Sequence, residues 1–496
     1  MKQQLLGGAY QARSVVASAQ RCLNLHVEPM PEVQGEPSRA AHYPTPGLRF
    51  LATIGTGPIR GLWRAGDGEV FCVSGAGVYR LNFPGPGGSL VGYINNGTPA
   101  YQPVGMADNG LDLVIVDGGS SGWSYNFAST AFGPITDPNF VGSIRADYLD
   151  GYLLFAHPTF IGTPNVFYSS DFLALTFDPL WVAKKTGFSD ILRVVVVTRG
   201  TIWLIGDRTT EIWSNTGKPD FPFESQPDVF IDHGTAAVYS VATFDNGVFW
   251  LTSDRTGQGI VLQGAGYQTK RISTYAIETE IAGYGTIKDA IGYCYQYLGH
   301  TYYVLTFPTA DKTWVYDITT GHWHQWAWTD PATGLSHRHR ANAFCSTGGG
   351  DADGLLLVGD WQTGDIYALD QHTFTDNGAP IQRVRSFPHI VADGDRVFYH
   401  CFIADMETGT SVGPGDTISL SFSDDRGHTY GNPITQSIGA PGAYLTSLQW
   451  QRLGLARDRV FKLEWNAAIP TALQGAWITV TRGDGGASPP AGGGQQ

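Results

Sequence analysis

Residues 200–215 read GTIWLIGDRTTEIWSN: a glycine turn, a run of β-branched, apolar and aromatic residues, a short polar turn, and a second run that ends near a tryptophan. Both runs have the composition of strands, and the residues between them have that of a turn. The same pattern recurs along the chain. It appears as GEVFCVSGAGVYRLN from Gly68, GLDLVIVDGGSSGWSYN from Gly110, GYLLFAHPTFIGTPNVFYSSD from Gly151, GVFWLTSDRTGQGIVLQG from Gly247, GHTYYVLTFPTADKTWVYDIT from Gly299 and GLLLVGDWQTGDIYALD from Gly354. The seven leading glycines are 42, 41, 49, 47, 52 and 55 residues apart. Each period holds one hairpin and enough chain for two more strands, which is the pattern of a β-propeller, here with six or seven blades. One blade cannot bury both faces of its sheet, so blades pack radially and cover each other with Trp, Tyr, Phe and Val.

The regular part spans about residues 47–380. Before it, residues 1–46 carry Pro29, Pro31, Pro37, Pro44 and Pro46 without a clear period and read as an extended N-terminal arm. Such a stretch has no core of its own and is expected to order on a partner. Within the repeats, residues 275–290 place Ile277, Ile281 and Tyr284 at helical spacing, which predicts a short amphipathic helix inserted between two blades, packed against the ring or, alternatively, serving as a subunit contact. After about Ala379 the period stops. Residues 381–484 alternate as strands do in TISLSFS (417–423), VFKLEW (460–465) and AWITVT (476–481), consistent with a β-sandwich-like domain. Residues 485–496 are a Gly/Pro-rich tail. The fold class is therefore all-β.

Composition narrows the function. The 496 residues carry 64 Gly, 14 Trp, 23 Tyr and 25 Phe, 15 % charged residues and a net charge of −13. A surface that grips nucleic acid by counterion release needs clustered Lys and Arg, which this balance opposes. The five cysteines (Cys22, Cys72, Cys294, Cys345, Cys401) are far apart and form no CxxC pair, as expected of free buried thiols in a reducing compartment. No signal peptide and no apolar run of about 18 residues is present, which predicts a soluble chain made in a cytoplasm, with no membrane insertion.

The motifs that could carry chemistry read as structure. Ser423, Asp425, Gly427, Thr429 and Tyr430 match the Asp-box of sialidase-like propellers, in which the aspartate accepts backbone N–H groups, glycine supplies a positive φ and the aromatic ring plugs the turn onto its sheet. That motif folds a hairpin, and here it lies outside the repeats. Gly118-Gly-Ser-Ser-Gly122 satisfies Gly-x-Ser-x-Gly, yet a nucleophile elbow leads into a helix whereas Trp123–Asn126 continues as strand. His322 with His324 and His337 with His339 share strand faces, but no third ligand is signalled. Glu278 and Glu280 diverge by about 160° on a helix, and Asp424 and Asp425 alternate, so neither makes a glycosidase dyad. Gly55-Thr-Gly57 and Gly75-Ala-Gly77 lack the third glycine and the helix of a dinucleotide fingerprint. No catalytic residue, metal or cofactor is implied.

A set of longer stretches resembles the packaged-DNA stabilisation proteins of short-tailed bacteriophages, also called tail hub or nozzle proteins. It comprises Gln11–Ser14, Gln20–Leu25 with Glu28, Lys270–Glu278 through Asp289-Ala290, Tyr295, Gly299–Pro308, Thr313–Asp317, Trp323-His324, Gln451–Arg457 and Val460–Trp465. The resemblance implies a non-enzymatic structural protein of the virion tail, assembled in the host cytoplasm. It implies a homo-hexameric ring below the portal and its head-to-tail adaptor, with a needle, fibre or spike protein beyond it. Such a ring closes the channel, stabilises packaged DNA and conducts it on ejection without sequence-specific binding. An acidic lumen would leave phosphates nothing to hold. The arm and the C-terminal unit would lie at subunit or adaptor contacts. The competing reading is a carbohydrate-active or carbohydrate-binding propeller, sialidase-like or receptor-binding; a third is a scaffold subunit elsewhere in a phage, such as a fibre-attachment protein.

Overall fold

The computed structural model describes residues 8–30, 40–82, 87–94, 102–157, 162, 165–245, 247–348, 354–391, 395–411 and 415–482. Among them, seven four-stranded antiparallel units follow one another, five as separate sheets and the last two as parts of larger sheets, which fixes the blade number at seven. Blade one is Ile59–Arg64, Val70–Ser74, Gly77–Leu81 and Gly88–Tyr93. Blades two to six run from Gly105–Asp108 to Phe132–Pro134, Ala146–Leu149 to Val182–Lys184, Leu192–Thr198 to Phe223–Ile231, Ala242–Phe244 to Gln268–Arg271 and Ile291–Tyr297 to His322–Trp326. In each blade the repeat motif is the central hairpin, the second and third strands.

Blade seven takes Ala341–Ser346, Leu356–Asp360 and Asp365–Asp370 from late in the chain and its outer strand, Gly47–Thr53, from the start. Closing the ring with a distant strand ties the two ends of the propeller by backbone hydrogen bonds and leaves no unpaired seam.

The packing explains why the second strands read as unbroken apolar runs. Phe71 and Val73 lie in the cluster shared with blade two, whereas Val70 and Cys72 lie in the one shared with blade seven. Leu113 and Ile115 face blade one while Val114 and Val116 face blade three; Phe249 and Leu251 face blade six while Val248 and Trp250 face blade four. Strands buried on both faces lose the polar half of the alternation. Gly359 marks how tightly the ring closes, because a Cβ there would stand 2.2 Å from Ile59 Cγ2.

The predicted helix forms over Tyr275–Ala282, shorter than the 275–290 expected, because Gly283 caps it and the chain then turns into blade six. Thr274 caps its start, and Ile277 and Ile281 are buried between blades five and six, with Tyr284 beside them.

The C-terminal unit is a two-sheet sandwich, but it is not built from residues after 381 alone. One sheet holds Arg383–Ser386, Asp458–Trp465, Thr417–Ser423 and Ile434–Ser437; the other holds Leu448–Ala456, Val397–Met406 and Leu473–Arg482, then Ala40–Pro44 and Leu25–Pro29 from the N-terminal segment. Cys22 and Leu25 sit in its core with Phe402, Trp450, Phe461 and Trp465. The stretch expected to wait for a partner thus finds partners within its own chain. Its residues 1–7 and 31–39, and the tail at 485–496, lie outside the described residues.

Candidate functional site

Most of the stretches that carry the sequence resemblance converge on one place, the junction of the N-terminal segment, blade six and the sandwich, whereas Gln451–Arg457 lies on the outer strand of the second sandwich sheet. Leu23 pairs in parallel with Gln325 on the outer strand of blade six and antiparallel with Val384 of the sandwich, while Cys22 lies opposite Arg385. One sheet therefore runs without interruption from Ile291–Tyr297 through blade six, Cys22–Leu23 and Arg383–Ser386 to Ile434–Ser437. A two-residue strand is the bolt.

Side chains fix that bolt. Asn24, at φ +53, donates its amide to the carbonyls of Ala327 (2.9 Å) and Gln382 (2.8 Å), and its Oδ1 accepts the Ala327 N–H (2.9 Å). Asparagine tolerates the left-handed conformation and here fills three hydrogen bonds to backbone. Arg21 donates from Nε and Nη2 to Gln325 Oε1, and Arg385, buried, donates to the carbonyls of Gly8 and Arg21 and to Gln20 Oε1. Burial lowers the pKa of both guanidiniums; Arg385 is fully buried and held by backbone and amide oxygens, and Arg21 is half-buried against the Gln325 amide.

Beside the bolt, the His26 ring lies edge-on to His300 and Tyr302, and His300 Nδ1 is 2.7 Å from Asp317 Oδ2. Burial, with the neighbouring His300, lowers His26 to about 4, and burial drives His324 well below the usual imidazole range. Trp323 Nε1 donates to the Ile272 carbonyl, and Ala9 N–H donates to the Trp323 carbonyl. Just beyond, Glu278 is gripped by the Arg271 guanidinium and the Ser273 hydroxyl. The arrangement joins bodies: His26 and His324 are held neutral by burial, and the carboxylates of Asp317 and Glu278 are paired.

The remaining sequence candidates are placed as follows. Ser423 donates to Asp425 Oδ1 (2.6 Å) and accepts the Gly427 N–H (2.7 Å), while Thr429 donates to Asp425 from its N–H (2.9 Å) and hydroxyl (2.6 Å). Those bonds hold the Asp425 carboxyl far below its ordinary pKa, and Gly427 has φ +91. Lys462 Nζ stands 4.4 Å from the centre of the half-buried Tyr430 ring. Asp424 instead pairs with Arg459, whose guanidinium is stacked on Tyr399 and Phe422. Gly118–Gly122 is the hairpin turn of blade two, and Gly122–Asn126 continues as strand. Gly142 packs onto that turn at φ +85, where a Cβ would meet the Gly119 carbonyl at 2.0 Å.

His337 Nδ1 meets Asp311 Oδ2 at 2.7 Å, and His339, lowered to about 3 by burial and Arg340, packs on Trp326. Among the described residues, no group of three or more His, Cys, Asp or Glu side chains could hold a metal ion, and no helix is long and apolar enough to cross a membrane. All five cysteines are free and four are buried; burial pushes Cys22 up to about 11 and Cys345 to about 12.

Sequence reasoning quoted Asn24 only within the Gln20–Leu25 stretch and gave it no role, and it missed Arg385 and Arg459, whose only local signal was an arginine within an apolar strand of a chain poor in cations.

Two family profiles tile the chain: that of the bacteriophage P22 Gp10 β-propeller over residues 1–374, and that of the bacteriophage P22 Gp10 β-sandwich over residues 382–481. No curated protein sequence matches. Among solved structures, the WD40 β-propeller domain of Doa1 is similar at 10% identity and TM-score 0.40, covering 65% of this chain and 96% of that one. The computationally designed Ika8 protein gives 9%, 0.39, 65% and 99%, and the N-terminal domain of Nup159 gives 9%, 0.40, 68% and 97%. The first profile takes in the N-terminal segment together with the blades, and the second begins one residue before the bolt's sandwich partner, Arg383–Ser386. With three quarters of its length under the first profile and most of the remainder under the second, the chain belongs to the bacteriophage P22 Gp10 family of phage structural proteins.

Proposed function

We propose that this chain is the subunit of a tail hub, a homo-hexameric ring below the portal and adaptor of a short-tailed phage that closes the channel, retains packaged DNA and conducts it on ejection. The observation that carries this reading is the sheet shared by blade six, the N-terminal segment and the sandwich. A part that holds back pressurised DNA has to transmit load between its upper and lower contacts, and a continuous sheet cannot hinge as a linker does. Two further features support it. Arg145, from the loop before blade three, reaches past blade four to the Val241 carbonyl ahead of blade five and so intrudes on the mouth of the propeller's own channel, which favours a conduit between copies. On the sandwich, Tyr444 and Leu445 are 72% and 98% exposed, an apolar tip suited to a neighbouring subunit or the adaptor. A needle, fibre or spike protein would close the distal end, and an acidic lumen would let DNA slide.

The test is a virion assembled without this protein. Heads that fill but leak DNA, with retention restored by added purified chain, support the hub. Heads that retain DNA but lose fibres or sugar binding would favour a fibre-attachment or carbohydrate-binding role.

A further inference from the structure

Two surface patches, one acidic and one basic, each surround apolar side chains left exposed. The first is at the end of blade three, where the turn between its first and second strands meets the link between its third and fourth. Phe172 packs over the Gly151 turn, where a Cβ would stand 2.4 Å from its ring, and the Leu173 N–H donates to the Gly151 carbonyl at 2.9 Å. The Tyr152 ring centre lies 5.5 Å from that of Phe172 and 5.6 Å from that of Trp181. Phe172, Leu173 and Leu180 remain 57%, 40% and 79% exposed. The two stretches that build this patch, residues 148–152 and 171–181, carry Asp150, Asp171 and Asp178 and no Lys or Arg. None of the three carboxylates is in an ion pair among the described residues.

The second patch is on the sandwich sheet that takes in the N-terminal strands, at the edge furthest from them. Phe398 stands opposite Leu455 on one side and Thr481 on the other, and both apolar side chains are exposed. Val397 is opposite Ala456, so Arg396 just before and Arg457 just after come opposite each other at the end of the sheet, with exposed Arg452 further along the outer strand. Like charges so placed repel, and no ion pair relieves these three among the described residues. Asp395, next to Arg396, is exposed, but residues 396–404, 448–457 and 476–482 contain no Asp or Glu, in a chain with 44 acids against 31 bases. An apolar centre with a charged rim is the anatomy of a protein interface, and here the two rims have opposite sign. Blade three is also three blades from blade six, to which the sandwich is bolted, in a ring of seven, so the patches are carried on opposite sides of the propeller. Two different patches that fit each other make a heterologous contact, which closes into a ring when the rotation between copies allows.

We propose that the basic sandwich face at Arg396, Phe398, Leu455 and Arg457 docks on the acidic end of blade three, at Phe172, Asp178 and Leu180, of a second copy of this chain, head to tail around the ring. The inference rests on the tail-hub reading for the ring itself and supplies its subunit contact.

The test exchanges charge in the purified full chain and reads assembly by sedimentation velocity, alone and with the portal–adaptor complex. One variant carries Asp150→Lys and Asp178→Lys, the other Arg396→Asp and Arg457→Asp; all four side chains are exposed, and circular dichroism confirms that each variant is folded. The wild type should associate, less so as salt rises. Each variant alone now sets like charge against like and should associate about a hundredfold more weakly. An equimolar mixture should recover assembly, because alternating copies again present opposite charges around an even-numbered ring. Variants that assemble as the wild type does, or folded variants whose mixture stays dispersed, would overturn this contact and leave the ring standing. A wild type that stays monomeric in both conditions would overturn the tail-hub reading itself, and the contact with it.

Discussion

Glu278 has no exposure, yet both its carboxylate oxygens are engaged, by the Arg271 guanidinium and the Ser273 hydroxyl. As a linear pattern it was one half of an unconvincing carboxylate pair, because nothing in the sequence says that residue 271 lies beside it. Removing one partner of a buried pair strands the other, although Arg271 keeps solvent access on one side, which trims the penalty. Glu278→Ala should therefore cost about 2–3 kcal/mol in urea unfolding and Glu278→Gln less, since the amide oxygen still accepts from Ser273. A loss below about 0.5 kcal/mol would mean that this pair contributes little. Histidines give the residue-scale pH dependence. His26 and His339 titrate below an unfolded imidazole, at about 4 and about 3, because burial penalises the cation. The unfolded chain therefore binds protons first, and stability present above about pH 6.5 is lost as pH falls towards 4. The groups that face His26 are His300, His324, Asp317, Tyr43 and Tyr302. Unfolding midpoints from pH 7.5 to 4.5 should drop, with a shallower slope for His26→Gln; identical slopes would contradict this account.

At the scale of elements, the central hairpins were legible and the bolt was not. A strand buried on both faces must be apolar at successive positions, so the runs at Val70–Ser74, Asp112–Val116 and Thr201–Gly206 announce themselves. The helix was legible from Ile277 and Ile281, but its end was set by Gly283 rather than by the longer periodic stretch. Cys22–Leu23 has no such signal: two residues pair with partners about 300 and 360 positions away, and only the finished ring and sandwich bring those together. The prolines of residues 1–46 fitted a free arm equally well, which is why the strands Leu25–Pro29 and Ala40–Pro44 were not foreseen as part of the sandwich. Deleting residues 1–29 should uncover the sandwich core at Phe402 and Trp450 and split thermal unfolding into two transitions, with the C-terminal unit melting first. A single transition at the wild-type midpoint would show that the segment adds nothing to the folded chain. Within it, Leu25→Ala should cost about 2–5 kcal/mol as a cavity in that core.

At the scale of the whole molecule, the composition takes on a different meaning. Glycines are turns and close approaches between blades, aromatics are the interblade filling, and the net charge of −13 suits a surface past which DNA slides rather than one to which it binds. Neither the subunit number nor the lumen-facing side chains can be read from one chain's pattern, since both depend on contacts between copies. The most direct measurement is cryo-electron microscopy of the purified chain bound to the adaptor–portal complex. A ring of six copies is expected, with the central lumen between subunits and lined by more acids than bases. Monomers that ignore the adaptor, or a lumen ringed by Lys and Arg, would contradict it.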